Sequence, residues 1–219
     1  MQTTITHDLM TYDEYKTKIL TLLRNNTAGL SQKFLEETLQ LPRTLQQKQW
    51  FQMLKSETGI QTKKTLEDTY LYLPVKGAFF TIGYEGKTIE QFIKKLQDTN
   101  IEQIIDVREI ALSRKNGFAK NTLKQKLEEK NISYKHFPEL GSPASIRNML
   151  YENWNYDEFF KAYTVYLENQ EQQKVLTELE EIAVSKRTAI MCFEHDGLKC
   201  HRQIIGKRFS ENGFGVVNL

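Results

Sequence analysis

The chain has 219 residues but only two cysteines, Cys192 and Cys200, and both lie in one short segment. Two cysteines cannot build the disulfide framework that holds a small secreted domain together. We therefore expect a cytoplasmic location, where a reducing environment keeps both thiols available for chemistry or for a metal. The chain also has only four prolines and lacks Ser/Gly tracts, which argues against long disordered linkers.

Long apolar runs and an excess of one charge sign are missing too. No run approaches the roughly 18 apolar residues that a membrane span needs, and the N-terminus lacks the basic-then-apolar pattern of a secretory signal. We therefore expect no membrane partner. Lys and Arg total 30 against 28 Asp and Glu, which gives a formal charge of +2. That balance neither requires nor excludes nucleic acid, because binding depends on where the charges lie.

Residues 1–76 predict a small helical domain. Apolar residues recur at helical spacing from Thr11 to Asn26, Ser31 is a candidate N-cap for a second helix, and Pro42 with Thr44 opens a third helix that Gly59 closes. A β-prone segment that ends near Leu73 follows. Three helices followed by a small hairpin is the order of a winged helix.

A winged helix would place its third helix in a DNA major groove and its hairpin on the backbone. We expect phosphate contacts with DNA or RNA from five basic residues of this domain: Arg43, Lys48, Lys55, Lys63 and Lys64. The alternative is a helical dimerisation or packing module with solvated lysines, because the third helix is rich in Gln and not strongly basic. The sequence leaves both interpretations open.

Residues 77–219 change to alternating strands and helices, after a junction at Pro74 to Gly77. The pattern predicts an α/β domain with a mainly parallel sheet and helices on both faces, in a rhodanese-like or flavodoxin-like layering. Ligands of such sheets bind beyond the carboxyl ends of the strands. Three unusual segments follow predicted strands here.

The first segment is TIGYEG, which begins at Thr81. Its glycines permit tight turns that could approach a phosphate, so Gly83, Tyr84 and Glu85 are candidate substrate-binding residues, although a plain strand-to-helix turn explains them equally.

In the second segment, Asp106 and Arg108 leave a strand end, where they could orient a ligand as catalytic residues or pair with each other and fix the loop. Ser113 and Arg114 lie in a basic loop downstream, which faces either an anion or solvent.

The third segment, CFEHDGLKCHR, is the most specific. A buried strand delivers Cys192 and Glu194 to its end, and a helix begins near Cys200. A thiol at a helix N-terminus beside His201 and Arg202 should have a lowered pKa, and the same N-terminus would attract an anion. Three interpretations stay open: a nucleophilic cysteine with His201 or Glu194 as its acid–base partner, a metal site, or two packed structural thiols.

Together these motifs resemble the family of the domain of unknown function 488, from about Phe79 to the C-terminus. The resemblance rests on TIGYEG, IIDVRE, SRKNGF, PELG and CFEHDGLKCHR in this order; the family typically has His where this chain has Tyr84. It implies an α/β fold and a shared polar site. A weaker resemblance is to the rhodanese fold, in which an Asp-Val-Arg also follows a buried strand and a Cys precedes an anion-binding loop.

We interpret the chain as an enzyme that acts on an anionic, phosphate-bearing or nucleic-acid substrate, as a hydrolase or transferase. Its candidate catalytic residues are Asp106, Arg108, Cys192, Glu194, Cys200 and His201, and Arg202 joins the substrate-binding set. No cofactor and no dedicated metal ligands are predicted. The alternatives are a non-catalytic nucleic-acid-binding regulator that senses a small anion or redox state, and an inert interaction module.

Overall fold

The computed structural model describes residues 10–26, 29–41, 44–74 and 76–219. Pro42 and Arg43, which the sequence assigned to a helix start and to phosphate contacts, lie outside the described residues. The chain divides into two compact units, Met1–Pro74 and Val75–Leu219. Each unit is described by itself.

The first unit combines three helices with a small antiparallel sheet of order β1-β3-β2. Thr11, Ser31 and Thr44 cap the three helices through their side chains, because each hydroxyl accepts a backbone N–H of the first turn. In chain order the elements are α1 (Tyr12–Arg24), β1 (Leu30–Ser31), α2 (Gln32–Thr38), α3 (Leu45–Thr58), β2 (Gln61–Lys64) and β3 (Thr69–Tyr72).

The core of this unit forms where the apolar stripe of α1 meets α3 and the sheet. Tyr15, Ile19 and Leu23 are buried at four-residue steps, as the helical spacing of the sequence predicted, and they pack with Leu54 and Leu71. The three predicted helices of this unit are confirmed.

The second unit is a mixed α/β structure around a five-stranded parallel sheet of order β6-β5-β7-β4-β8. Its elements are β4 (Ala78–Gly83), α4 (Ile89–Asp98), β5 (Gln103–Asp106), α5 (Lys120–Glu128), β6 (Ser133–His136), α6 (Ala144–Asn153), α7 (Tyr156–Leu167), α8 (Gln170–Ser185), β7 (Thr188–Cys192), α9 (Arg202–Glu211) and β8 (Gly215–Asn218).

Helices cover both faces of this sheet. On one face, called here the α7–α9 face, Phe79, Ile105 and Ile190 pack with residues of α7, α8 and α9. On the other, the α4–α5 face, Phe80 and Ile104 pack with residues of α4 and α5. Successive strand residues point to opposite faces, so a strand buried on both sides reads as a continuous apolar run. The predicted mainly parallel sheet with helices on both faces is confirmed.

Helix α6 is the one long element of this unit that the sequence analysis did not predict. Only Leu150 of this helix is buried, and Ile146 packs partly buried against the core of the α7–α9 face. It ends at Trp154, which adopts a left-handed φ of 54° that glycine normally provides. Within the described residues, no helix combines the length and the apolar character that a membrane crossing requires.

Candidate functional site

The carboxyl edge of the sheet brings the three sequence segments together because β7 lies between β4 and β5. Gly83 at the end of β4 pairs with Cys192 at the end of β7, and Asp106 at the end of β5 pairs with Met191. The central strand therefore delivers the cysteine segment between the other two. This edge is where parallel sheets bind their ligands.

The sheet nevertheless separates the predicted catalytic residues into two clusters. Cys192 and Cys200 belong to the core of the α7–α9 face. Arg108, which pairs with Asp106, instead donates to Tyr84, whose ring belongs to the core of the α4–α5 face. The sequence analysis predicted that all of these residues form one site, whereas in the structure their contacts divide them between two clusters.

The first cluster is a buried ion pair whose hydrogen bonds are made within the protein. Arg108 Nε donates to Asp106 Oδ1 at 2.8 Å and Nη2 donates to Oδ2 at 2.5 Å. Arg108 Nη1 donates both to the Tyr84 hydroxyl and to the Phe118 carbonyl oxygen, each at 3.0 Å. Four of the five guanidinium N–H groups are therefore engaged. Of the two interpretations of this pair, the contacts favour the one in which it fixes the loop after β5.

Tyr134 completes this cluster and was not among the sequence candidates. Its hydroxyl donates to Asp106 Oδ2 at 2.6 Å from the neighbouring strand β6. Burial raises the pKa of Tyr134, and the adjacent Asp106 carboxylate raises it further. Burial opposes the charge of Arg108, yet the hydrogen bond and charge of Asp106 outweigh it and raise the pKa of Arg108.

The second cluster is centred on the Cys200 sulfur. Arg202 Nε donates to Cys200 Sγ at 3.2 Å, and His201 Nδ1 lies 3.7 Å from the same sulfur. His201 Nε2 lies 3.0 Å from the Val107 carbonyl oxygen. A carbonyl oxygen can only accept, so Nε2 carries a proton and Nδ1 faces the thiol. In a neutral imidazole Nδ1 is thus free to take the thiol proton.

These contacts move the pKa values of the two thiols apart. Burial by itself would raise the pKa of Cys200, but the hydrogen bond from Cys192 and the positive charges of His201 and Arg202 lower it well below its ordinary value. The hydrogen bond with Cys200, together with burial, raises the pKa of Cys192. Burial would lower the pKa of His201, yet the Cys200 charge raises it. The arrangement favours a Cys200 thiolate beside a His201 imidazolium.

Glu194 lies beside both thiols. Its Oε2 atom is buried and has no hydrogen-bond partner among the described residues. Burial raises the pKa of this carboxyl, and the Cys200 charge raises it further. The Glu194 backbone oxygen accepts from Arg202 Nη2 at 2.5 Å. A Cβ on Gly83 would lie 1.8 Å from that same oxygen. Gly83 therefore provides the close approach of β4 to the cysteine segment.

Comparison with protein families matches residues 88–209 to a domain of unknown function, DUF488. The matched region covers more than half of the chain and contains the Asp106–Arg108 pair, Tyr134 and the cysteine cluster, whereas Tyr84 precedes it. The chain belongs to the DUF488 family. No curated protein and no solved structure matches it.

The remaining candidate substrate residues of this DUF488 chain surround the turn after β4. Tyr84 is buried and stacks on Phe118 with ring centroids 4.4 Å apart, while Glu85 accepts the His195 backbone N–H at 2.9 Å. Ser113 Oγ lies 3.5 Å from the Tyr84 hydroxyl, and Arg114 is exposed. The structure therefore brings Tyr84, Glu85 and Ser113 to one place and leaves Arg114 in solvent.

Two lysines at this turn were missed by the sequence analysis. Lys87 Nζ donates to the Gly83 carbonyl oxygen at 2.9 Å, and Lys115 Nζ donates to the Tyr84 carbonyl oxygen at 3.0 Å. Burial lowers the pKa of Lys87, and the charge of Arg202 lowers it further. Lys87 directly follows TIGYEG and Lys115 lies within SRKNGF, so these two motifs carried the available signal. They add positive charge to the rim of the DUF488 site.

The same cluster could hold a metal ion through Cys192, Cys200 and His201. Their donor atoms lie within 4.8 Å of one another, and all three residues are buried. Thiolate and imidazole ligands suit zinc, and the Val107 carbonyl bonded to His201 is a typical outer partner of such a site. The guanidinium of Arg202 on the Cys200 sulfur opposes a further cation there. The prediction of no dedicated metal ligands stays a prediction.

The basic residues proposed for nucleic acid lie in the first unit. Lys48 on α3 and Lys63 and Lys64 on β2 are exposed. Lys55 is half-buried, with its Nζ 5.8 Å from the centre of the Phe51 ring. Three of the four lysines predicted to contact nucleic acid are therefore accessible to a partner.

Proposed function

We propose that this DUF488 protein is an enzyme that uses the Cys200 thiolate as its nucleophile on an anionic, phosphate-bearing substrate. The observation that carries the proposal is the position of Cys200 Sγ, in contact with both His201 Nδ1 and Arg202 Nε. A nucleophile with an adjacent base and a third group that orients the base is the general pattern of covalent catalysis. Here the Val107 carbonyl orients the base.

Each residue of the cluster has a distinct role in this proposal. His201 holds the thiol proton on Nδ1, and Arg202 stabilises the sulfur anion. Glu194, whose pKa is raised, delivers a proton to the leaving group. Asp106 and Arg108 shape the neighbouring loop and contact neither thiol.

An anionic substrate is supported by the charges around the site. Arg202 begins helix α9, whose N-terminal N–H groups favour an anion. Lys87 and Lys115 flank the turn after β4, at the same sheet edge. Cys200 is only 1% exposed, so the reaction requires a movement of the 193–199 segment that joins the two cysteines. A reactive thiolate also supports a reducing compartment such as the cytoplasm.

The first test is pH-dependent alkylation of the folded protein, with Cys192 and Cys200 read separately by peptide mass spectrometry. We expect Cys200 to react well below pH ~8.5, the ordinary thiol value, Cys192 to stay unreactive there, and inorganic phosphate to protect Cys200. Two thiols that stay inert at every pH would refute the nucleophile. Reactivity that phosphate leaves unchanged would refute the anionic site.

A matched pair of variants on α9 isolates the cationic contribution. Arg202→Gln removes the donor to Cys200 Sγ and should move the alkylation midpoint to higher pH. Arg208→Gln removes an equal charge from the same helix, but that arginine contacts Glu168 and Gln173 instead, so the midpoint should not change. Equal shifts in both variants would show a general charge effect and contradict the assigned contact.

The second candidate function is a non-catalytic nucleic-acid-binding regulator. It is supported by the element order of the first unit, three helices with a β1-β3-β2 sheet, and by the exposed lysines Lys48, Lys63 and Lys64. The winged-helix interpretation predicts binding to duplex DNA that weakens steeply with salt.

Its test compares the double variant Lys48→Ala/Lys63→Ala with Lys18→Ala on the exposed side of α1. The double variant should weaken binding of a DNA duplex and flatten its salt dependence, whereas Lys18→Ala should not. Absence of salt-dependent binding in the unchanged protein would reject this candidate.

A further inference from the structure

The proposed function gives Cys192 no chemical step of its own, although its thiol is hydrogen-bonded to that of Cys200. The two side chains share a hydrogen bond, and their sulfur atoms lie within 4.8 Å of each other. Cys192 ends β7 and Cys200 precedes α9, so residues 193–199 form a short loop between them. The fold thus holds together two thiols from opposite ends of one loop.

We propose that Cys200 and Cys192 form a dithiol couple that reduces small hydroperoxides, with Cys200 attacking and Cys192 resolving. The proposal rests on the same Cys200 thiolate as the proposed function and adds a second activity. In the first step the Cys200 sulfur attacks the terminal peroxide oxygen, the O–O bond breaks, and an S–O bond forms. The leaving oxygen takes a proton, so the products are a sulfenic acid on Cys200 and an alcohol, or water from hydrogen peroxide.

In the second step the Cys192 sulfur attacks the Cys200 sulfenic sulfur. The S–O bond breaks, a disulfide forms, and the hydroxyl leaves as water with the Cys192 proton. Two thiols and one hydroperoxide therefore give one disulfide, one alcohol and one water. The cysteines lose two electrons and the peroxide gains them. An added dithiol reductant returns the pair to its starting state.

The surroundings suit each step. Arg202 Nε contacts the attacking sulfur, and Glu194 lies beside both thiols with an unpartnered carboxyl oxygen from which the leaving oxygen can take its proton. Cys192 is placed to capture the sulfenic acid before a second peroxide does. Cys200 and Cys192 are only 1% and 6% exposed, which favours an oxidant of few atoms over a bulky disulfide.

The test treats the reduced full-length protein with equimolar hydrogen peroxide and measures intact mass and non-reducing peptide maps. We expect a mass loss of two hydrogen atoms and a Cys192–Cys200 crosslink that a dithiol reverses. Cys192→Ser should accumulate a Cys200 sulfenic acid that a cyclic 1,3-diketone traps. Cys200→Ser should leave Cys192 as a thiol. Circular dichroism of both variants shows whether they keep the fold.

Two results would overturn the proposal: Cys200 oxidised to a sulfinic acid while Cys192 stays a thiol, or both thiols unchanged by peroxide. Disulfide formation tests the redox activity and phosphate protection tests the proposed function, so the two proposals can be rejected separately. Disulfide formation in a protein whose Cys200 is not protected by phosphate supports the dithiol couple and rejects the anionic substrate. Protection of Cys200 by phosphate without disulfide formation supports the anionic substrate and rejects the dithiol couple.

Discussion

Removing the carboxylate of Asp106 should destabilise the second unit strongly. Asp106 is fully buried, and Arg108 is 6% exposed. Asp106→Ala leaves the guanidinium charge buried without its counterion and removes the acceptor of the Tyr134 hydroxyl. Breaking a buried ion pair at one partner costs about 3–5 kcal/mol, so we expect a loss of this size in the free energy of unfolding.

Hydrogen exchange read by mass spectrometry on peptides that contain β5 measures this loss in the second unit alone. Tyr134→Phe is the graded control, because it removes one hydrogen bond to a charged group and should cost about 1.5–3 kcal/mol. In Tyr134→Phe the pH midpoint of Cys200 alkylation should not change, since the bond it removes joins Tyr134 to Asp106 and leaves the Val107 carbonyl oxygen on His201.

The reasoning fails if Asp106→Ala destabilises the unit by only about 1 kcal/mol or less, the cost of an average point substitution. It also fails if the alkylation midpoint of Cys200 moves in Tyr134→Phe. This second outcome would join the two clusters into one catalytic site, as the sequence alone had predicted.

Two further predictions concern the cysteine segment. Gly83→Ala should lower the free energy of thermal or urea unfolding by about 1–3 kcal/mol, because the new Cβ would lie 1.8 Å from the Glu194 backbone oxygen. The control is Gly206→Ala on α9, where the new Cβ would lie 3.2 Å from a Val216 methyl group, and its cost should stay within about 1 kcal/mol. Equal costs in the two variants would contradict the steric argument. The unfolding free-energy difference between the reduced protein and Cys200→Ser should fall as the pH rises above about 8.5, the unfolded pKa of Cys. Above this value the unfolded Cys200 loses a proton that the folded thiolate–imidazolium pair keeps, whereas Cys200→Ser has no thiol to titrate at this position. A difference that stays constant above pH ~8.5 would refute the thiolate–imidazolium pair.

Local sequence signals predicted most of the helices and strands. Thr44 and Gly59 mark the ends of α3 because a side-chain cap and a left-handed glycine are local devices. The apolar run that ends at Cys192 predicted a buried strand, and β7 is buried throughout. Helix α6 was not predicted, because its apolar residues Ile146, Met149 and Leu150 span little more than one turn and it ends on a non-glycine residue.

The sequence by itself determined the alternating strands and helices, the parallel sheet, and the presence of polar residues at the strand ends. Only the tertiary structure decided that β7 lies between β4 and β5, and therefore which residues meet. It placed Arg202 and His201 on the Cys200 sulfur and turned Asp106 and Arg108 toward each other. The physical reason is that strand order and the face of each side chain arise from long-range pairing, which local periodicity does not encode.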